Sequence, residues 1–190
     1  YARGRVRSKP LEDIREEISS LEKKGFSEIV LVGINLSAYG TDCGASICDA
    51  VELAASFDGI KRVRLGSLEP DHMTPEVTKR LAECKKLCPQ FHISLQSGCD
   101  KTLKRMNRHY TAAEYEELCT RLRSEFEDTT LTTDVMVGFS GETKEDFEIS
   151  RDFVRKIGFE KVHVFPYSRR AGTRAAEFPD VVENAEKERR

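Results

Sequence analysis

Five short runs rich in β-branched and aromatic residues, each separated from the next by a stretch with helical spacing, restrict this chain more than any other feature. They lie at 28–32, 62–65, 91–95, 130–137 and 161–165. Strands set that far apart, with an amphipathic helix after each, pair in parallel, because a parallel neighbour is reached only through a crossover. The run Glu28-Ile29-Val30-Leu31-Val32 is nearly continuous in apolar character, as expected of a strand covered on both faces. Before it, Ser8 and Pro10 open a helix whose apolar positions Leu11, Ile14, Ile18 and Leu21 recur at helical spacing, and Gly25 stops it. Further helices are expected at 47–57, from Pro75 onward, and at 101–106, 112–125 and 144–157. Five such strands are too few for a closed βα barrel and make either an open α/β sheet or most of an incomplete one. In both arrangements ligands belong at the carboxyl ends of the strands, so the loops after them carry the functional question.

With 190 residues the chain forms one domain with a real core, placed at 1–182, and its charged tail 183–190 reads as the start of a linker. Hydrophobic residues make up 38% and charged residues 34%, a soluble globular composition. No apolar run is long enough to span a membrane and no signal peptide precedes Tyr1, so a cytoplasmic location is expected. The absence of an initiator Met points to a chain that begins inside a longer protein. Net charge is −2, which gives no global signature of nucleic-acid binding. Three local basic clusters stand out, however: Arg3, Arg5, Arg7 and Lys9; Lys101, Lys104, Arg105, Arg108 and His109; and Arg169, Arg170 and Arg174. Each also reads simply as a solvated face.

The six cysteines (Cys43, Cys48, Cys84, Cys88, Cys99 and Cys119) are expected to be reduced, and no Cys-x2-Cys pair occurs among them, so no metal site is assigned. The four histidines, His72, His92, His109 and His163, read as structural or surface residues. There is no Walker loop, no Gly-x-Gly-x-x-Gly and no Ser–His–Asp arrangement. What the post-strand loops offer is polar and constrained: Gly33, Asn35 and Tyr39-Gly40; Ser67, Glu69 and Asp71-His72; Gln96 and Ser97; Asp134 and Gly138; and Tyr167. Chemistry alone reaches a polar ligand site at the carboxyl face and stops there.

Longer motifs go further. Ile93-Ser94-Leu95-Gln96-Ser97-Gly98-Cys99-Asp100 continues into Leu103-Lys104-Arg105-Met106-Asn107-Arg108. Thr133-Asp134-Val135-Met136-Val137-Gly138-Phe139-Ser140-Gly141-Glu142-Thr143 follows, with Arg3-Gly4-Arg5-Val6-Arg7, Val32-Gly33-Ile34-Asn35 and Val164-Phe165-Pro166-Tyr167 in matching order. Together these resemble the methylthiotransferases, a radical S-adenosylmethionine (SAM) family, over nearly the whole chain. Ser140 stands where that family has Pro, a change expected to affect only a turn. Gly66-Ser67-Leu68-Glu69-Pro70 and Leu87-Cys88-Pro89 look most like the branch acting on N6-threonylcarbamoyladenosine beside the tRNA anticodon.

The resemblance implies an α/β fold: an incomplete TIM-like βα barrel of the radical-SAM type, with parallel strands, outer helices and its first strand missing. It implies SAM and 4Fe–4S clusters as cofactors and the tRNA anticodon stem-loop as partner, and leaves the sulfur donor unidentified. The family's cluster-binding Cys-x3-Cys-x2-Cys motif lies just before the position of Tyr1, so this segment alone is expected to be inactive and, with a strand edge unpaired, prone to self-association. By the same resemblance Gly33 and Asn35 meet the SAM amino group, Gln96 with Ser94 approaches the ribose, and Arg108 pairs with the SAM carboxylate. Val137 and Gly138 flank the adenine, Glu69 and Asp134 line the cavity, and Arg3, Arg5 and Arg7 contact tRNA. Rival readings are a methylthiotransferase for isopentenyladenosine or a ribosomal-protein aspartate, a different barrel enzyme, and a non-catalytic RNA-binding module.

Overall fold

A computed structural model describes residues 4–190, in two compact units: Tyr1–His92 with Thr120–Thr130, and Ile93–Cys119 with Leu131–Arg190. In the first, helix α1 (Leu11–Lys23) leads to β1 (Glu28–Leu31), α2 (Ile47–Ala55) to β2 (Arg62–Leu65), and α3 (Pro75–Ala82) to β3 (Gln90–His92). Strands β1 and β2 pair in parallel, with Glu28 opposite Arg62 and Leu31 opposite Leu65. The sheet grows toward the next segment through Val63, whose N–H donates to Lys86 O at 2.8 Å while its carbonyl accepts from Cys88 N at 2.9 Å. Val51, Ala54, Ile60, Val63 and Phe91 have no exposed surface and form the core, with the Phe91 and Phe126 rings edge to face at 4.9 Å.

Helix α3 opens at Pro75 as the sequence suggests, with Thr74 accepting from Val77 N. Ser46 and Asp49 form a reciprocal capping box on α2, and Arg80 of α3 ties Asp49 and Glu52 together at 2.6 Å each. At α1 the capping residue is Pro10, which supplies no side-chain bond. Ser8, expected to help open that helix, is used elsewhere: its hydroxyl accepts from Gly40 N at 2.8 Å and its own N–H donates to Asp42 at 3.0 Å, pinning the loop after β1.

The second unit holds α4 (Asp100–Arg105), the first turns of α5 (Ala112–Glu125), β4 (Thr130–Val137), α6 (Lys144–Ile157), β5 (Lys161–Pro166) and α7 (Asn184–Arg189). Strands β4 and β5 pair in parallel from Thr132 opposite Lys161 to Val137 opposite Pro166. On β4, Leu131, Thr133, Val135 and Val137 are buried while the intervening residues are half-buried, the alternation of a strand packed mainly on one side.

The strand expected at 91–95 is shorter in regular ladder than its sequence suggests, and side chains are the reason. Ile93 N bonds Thr132 O at 3.0 Å, but Leu95 N donates to the Thr133 hydroxyl instead of a carbonyl. That hydroxyl in turn donates to Ile93 O at 2.6 Å, where the fully buried Tyr115 hydroxyl also donates at 2.7 Å. The charged tail 183–190 forms α7, packed within this unit, with the Arg190 side chain 4% exposed. Among the described residues no helix is long and apolar enough to cross a membrane.

Asp146 joins two elements of this unit. It closes the capping box of α6 with Thr143 and takes an ion pair from Lys101 of α4 at 2.9 Å while itself 8% exposed at the side chain. Burial works against its ionisation, but the bonds from Lys101 and Thr143 outweigh it and hold the carboxyl below its ordinary range. Its stabilisation is therefore complete above the unfolded carboxyl pKa and is lost as pH falls through the depressed folded value. Asp146→Asn is expected to cost about 1–2 kcal/mol at neutral pH. In denaturant titrations the gap to the parent should close in acid, and a gap independent of pH would contradict this account.

Candidate functional site

In the first unit the loop after β1 opens into a groove of about 630 Å³. Its walls bring together Arg5, Arg7, Gly33, Asn35 and Tyr39, with Ile18 and Ile29 on its apolar side. Gly33 and Asn35 are exposed, as are Arg5 and Arg7, so four of the residues singled out from sequence share one open surface. The Asn35 side-chain oxygen accepts from Ala38 N at 3.3 Å, capping a single 3-10 turn at the groove wall. The apolar side chains Val30, Val32 and Ile34 are 47%, 75% and 74% exposed, an unusual concentration beside a strand whose second edge pairs with no other among the described residues. Glu69, half-buried after β2, is not on this groove; its backbone is held by Ser37, which donates to Glu69 O at 2.8 Å and accepts from Glu69 N at 2.7 Å. Arg3 lies outside the described residues.

The second unit holds the remaining predicted residues: Gln96 is bridged to β4, Val137 and Gly138 stand at its end, Asp134 lies within it, and Ser94 and Arg108 precede it in the chain. Gln96 has a left-handed backbone, φ 65°, although it is not glycine, a conformation that costs about 1–2 kcal/mol. The structure holds it there by a two-way backbone exchange across Val135: Gln96 N donates to Asp134 O at 2.8 Å and Gln96 O accepts from Met136 N at 2.9 Å. Strain imposed at a strand end by its neighbours is a mark of a functional position. Ser94 is 7% exposed and Gln96 8%; the carbonyls of Ser94 and Leu95 both accept from the Tyr110 hydroxyl. Asp134 is half-buried on the face of β4 opposite its core residues and stands beside His163 in register. Arg108, half-buried, follows α4.

Val137 and Gly138 are buried at the very end of β4. Gly138 takes φ 69°, available to glycine without strain, and its N–H donates to Glu142 at 2.6 Å. Ser140, expected to matter only to a turn, is 1% exposed, and its hydroxyl and that of Tyr167 are buried without a partner. The Ser140 carbonyl accepts from Arg105 Nε at 2.9 Å, and Phe139 packs on Tyr167 at 4.8 Å between ring centroids. Two residues that sequence reasoning passed over belong here. Lys187 donates to Tyr167 O at 2.9 Å, and Arg190 pairs with Glu142 at 2.6 Å. Nothing in the local sequence signals them, since Arg190 lies 48 positions from its partner.

In the first unit the half-apolar groove, with Asn35 and two arginines on its walls, fits an amphipathic ligand. Neither unit fits an iron–sulfur cluster. Among the described residues no group of three or more His, Cys, Asp or Glu could hold a metal ion; the six cysteines are all free.

Comparison with known proteins identifies the family and the fold. Residues 1–154 match the model of the radical SAM superfamily. A threonylcarbamoyladenosine tRNA methylthiotransferase of Thermotoga maritima is 41% identical over 190 residues, covering 100% of this chain and 44% of the relative. A tRNA-2-methylthio-N(6)-dimethylallyladenosine synthase of Pelotomaculum thermopropionicum is 42% identical over 195 residues, covering 100% of this chain and 43% of the relative. The chain thus spans less than half the length of these curated relatives. Among solved structures, coproporphyrinogen III oxidase from Escherichia coli, a radical SAM enzyme, superposes with TM-score 0.72 at 15% identity over 93% of this chain and 42% of that one. The radical SAM methyltransferase TsrM from Kitasatospora setae gives 0.68 at 15% identity over 85% and 32%. At that identity the likeness speaks for the fold: the α/β architecture of parallel strands expected from the sequence.

The orphaned Ser140 hydroxyl generates a test. A buried hydroxyl without a partner is destabilising. Ser140→Ala should raise stability by about 1 kcal/mol in chemical denaturation. A loss of stability would mean that the hydroxyl is satisfied by bound water.

Proposed function

The chain belongs to the radical SAM superfamily, and from that premise we propose that it is the central domain of a tRNA methylthiotransferase that places a methylthio group on C2 of N6-threonylcarbamoyladenosine. The observation that carries this reading is identity of 41% along the entire chain to an enzyme named for that reaction. The Gly66-Ser67-Leu68-Glu69-Pro70 and Leu87-Cys88-Pro89 strings favour the same branch. The second reading, dimethylallyladenosine as substrate, is supported by 42% identity to a synthase of that class.

SAM and the iron–sulfur clusters supply the radical chemistry and the methyl group when bound; the clusters take their ligands from outside the described residues of this chain. This domain's share is to bind, orient and exclude water. Gly33 and Asn35 receive the amino group of SAM through carbonyl oxygens, because an ammonium only donates, and Arg108 offers a bidentate fork to its carboxylate. Ser94 and the strained Gln96 approach the ribose. Val137 and Gly138 flank the adenine with a flat apolar and backbone surface. Glu69 and Asp134 are assigned to the cavity lining by the family resemblance. Arg5 and Arg7, exposed on the groove, and Arg3 contact tRNA phosphates at the anticodon stem-loop. The open edge of β1, with its exposed Val30, Val32 and Ile34, drives self-association of the isolated segment. The enzyme works in the cytoplasm, where tRNA is its substrate.

Mass spectrometry of tRNA nucleosides from cells lacking the full-length gene checks the reaction. Selective loss of 2-methylthio-N6-threonylcarbamoyladenosine, restored by the intact gene, is the expected result. Loss of the dimethylallyl derivative would transfer the assignment to the second substrate, and an unchanged profile would overturn the tRNA reading. In the full-length protein Arg108→Ala should weaken SAM binding by about tenfold or more in equilibrium dialysis, and unchanged affinity would remove its role.

A further inference from the structure

The loop that ends β4, Gly138 to Glu142, has little to hold it from within. Its internal bonds are Glu142 N to Phe139 O at 2.9 Å and Gly138 N to the Glu142 carboxylate at 2.6 Å. Everything else that fixes it comes from remote parts of the same unit. Arg105 of α4 grips the Ser140 carbonyl, and Asp180 O accepts from Gly141 N at 2.6 Å. Lys187 of α7 lies so close over Gly138 that a Cβ there would collide with its side chain, while its ammonium bonds the Tyr167 carbonyl at 2.9 Å. Tyr167 N in turn donates to Val137 O at 2.9 Å, so the ends of β4 and β5 and the base of α7 are one connected unit.

The centre of this arrangement is a single carboxylate oxygen. Glu142 Oε2 accepts from Gly138 N–H and from Arg190 Nη1, both at 2.6 Å. The side chains of Glu142 and Arg190 are 1% and 4% exposed, so both charges are out of water. Arg190 is itself fixed by Glu186 at 2.8 Å, by the Glu142 carbonyl at 3.2 Å and by the face of Phe147 at 5.2 Å. A buried carboxylate stripped of its cation cannot stay as it is: it takes up a proton or turns toward water. Burial already pushes the Glu142 carboxyl upward despite Arg190 and the Gly138 N–H, which leaves little margin. Either escape weakens the bond that closes the Gly138 turn.

We propose that Arg190 is a positioning residue for cofactor binding: acting through Glu142, and with Lys187 backing the turn, it holds Gly138 in the shape that receives the adenine of SAM. This deepens the assignment of Val137 and Gly138 made above and rests on it. It gives the segment around α7 a role at the strand end.

The test uses the full-length protein, with SAM affinity measured by equilibrium dialysis and amide exchange followed across 137–142. Arg190→Met should weaken SAM binding about tenfold and speed exchange at Gly138, because it strips the buried Glu142 of its cation. Arg190→Lys, which keeps the charge and is the safer variant for folding, should lose about threefold or less. The double variant Glu142→Gln, Arg190→Met keeps an acceptor for Gly138 N–H without a buried charge, and should recover most of the affinity lost by Arg190→Met. A merely structural role predicts instead that affinity follows global stability across the variants, with faster exchange throughout the unit and not confined to 137–142. Faster exchange in Arg190→Met with unchanged SAM affinity, while Arg108→Ala still weakens binding, would overturn the proposal and leave the site reading standing. Unchanged affinity in both Arg190→Met and Arg108→Ala would overturn the site reading and the proposal with it.

Discussion

The Thr133 hydroxyl sits where a backbone carbonyl would normally stand. It accepts from Leu95 N at 3.0 Å and donates to Ile93 O at 2.6 Å, while Tyr115, fully buried, reaches the same carbonyl. The segment after β3 thereby leaves regular pairing at a defined residue without leaving a buried donor unmet. The left-handed turn at Gln96, the buried Ser97 and the entry into α4 all follow from that departure. Ser150 of α6 then receives the chain, accepting from Gly98 N at 2.8 Å. A Cβ at Gly98 would run into Phe153, so glycine is required there by the close approach of α6 rather than by its own backbone angles.

The same economy recurs at the end of β4. A buried polar group is tolerated only when its partner is fixed, and here the partners are supplied by elements far along the chain. Glu142 serves one N–H of its own loop and one guanidinium from the far end of the unit. Phe139 meets both Tyr167 and Phe178, and Arg105 stacks on Phe178 at 5.1 Å while bonding the Ser140 carbonyl. The result is a loop whose shape is imposed from outside, as a ligand-facing turn needs if it is to be formed before the ligand arrives. Tyr167 and Ser140 carry buried hydroxyls without a partner in the same neighbourhood.

The groove of the first unit contrasts with this. Its ligand-facing groups are exposed, its apolar side chains Val30, Val32 and Ile34 stand free, and the strand beside it has one unpaired edge among the described residues. Fixed positions come instead from Ser8 and Ser37, each of which ties a loop by two hydrogen bonds. Rigid polar turns around an open apolar floor leave room for an amphipathic molecule while holding the groups that would orient it.

Much of this was legible in the residues alone. The helices at 112–125 and 144–157 and the strands at 62–65 and 130–137 stand where the spacing of apolar side chains puts them, because that signal is local. The motifs at 93–108 and 133–143 likewise mark the strand ends by residue type and order alone. What tertiary structure alone decided are pairings between residues far apart in the chain. Ser8 turns to the loop at 40–42 instead of capping α1, Thr133 interrupts a ladder that β propensity would have continued, and Arg190 finds Glu142 across 48 positions. A sequence states what each segment prefers by itself; which buried donor meets which acceptor depends on desolvation, and desolvation exists only once the chain has closed around the pair.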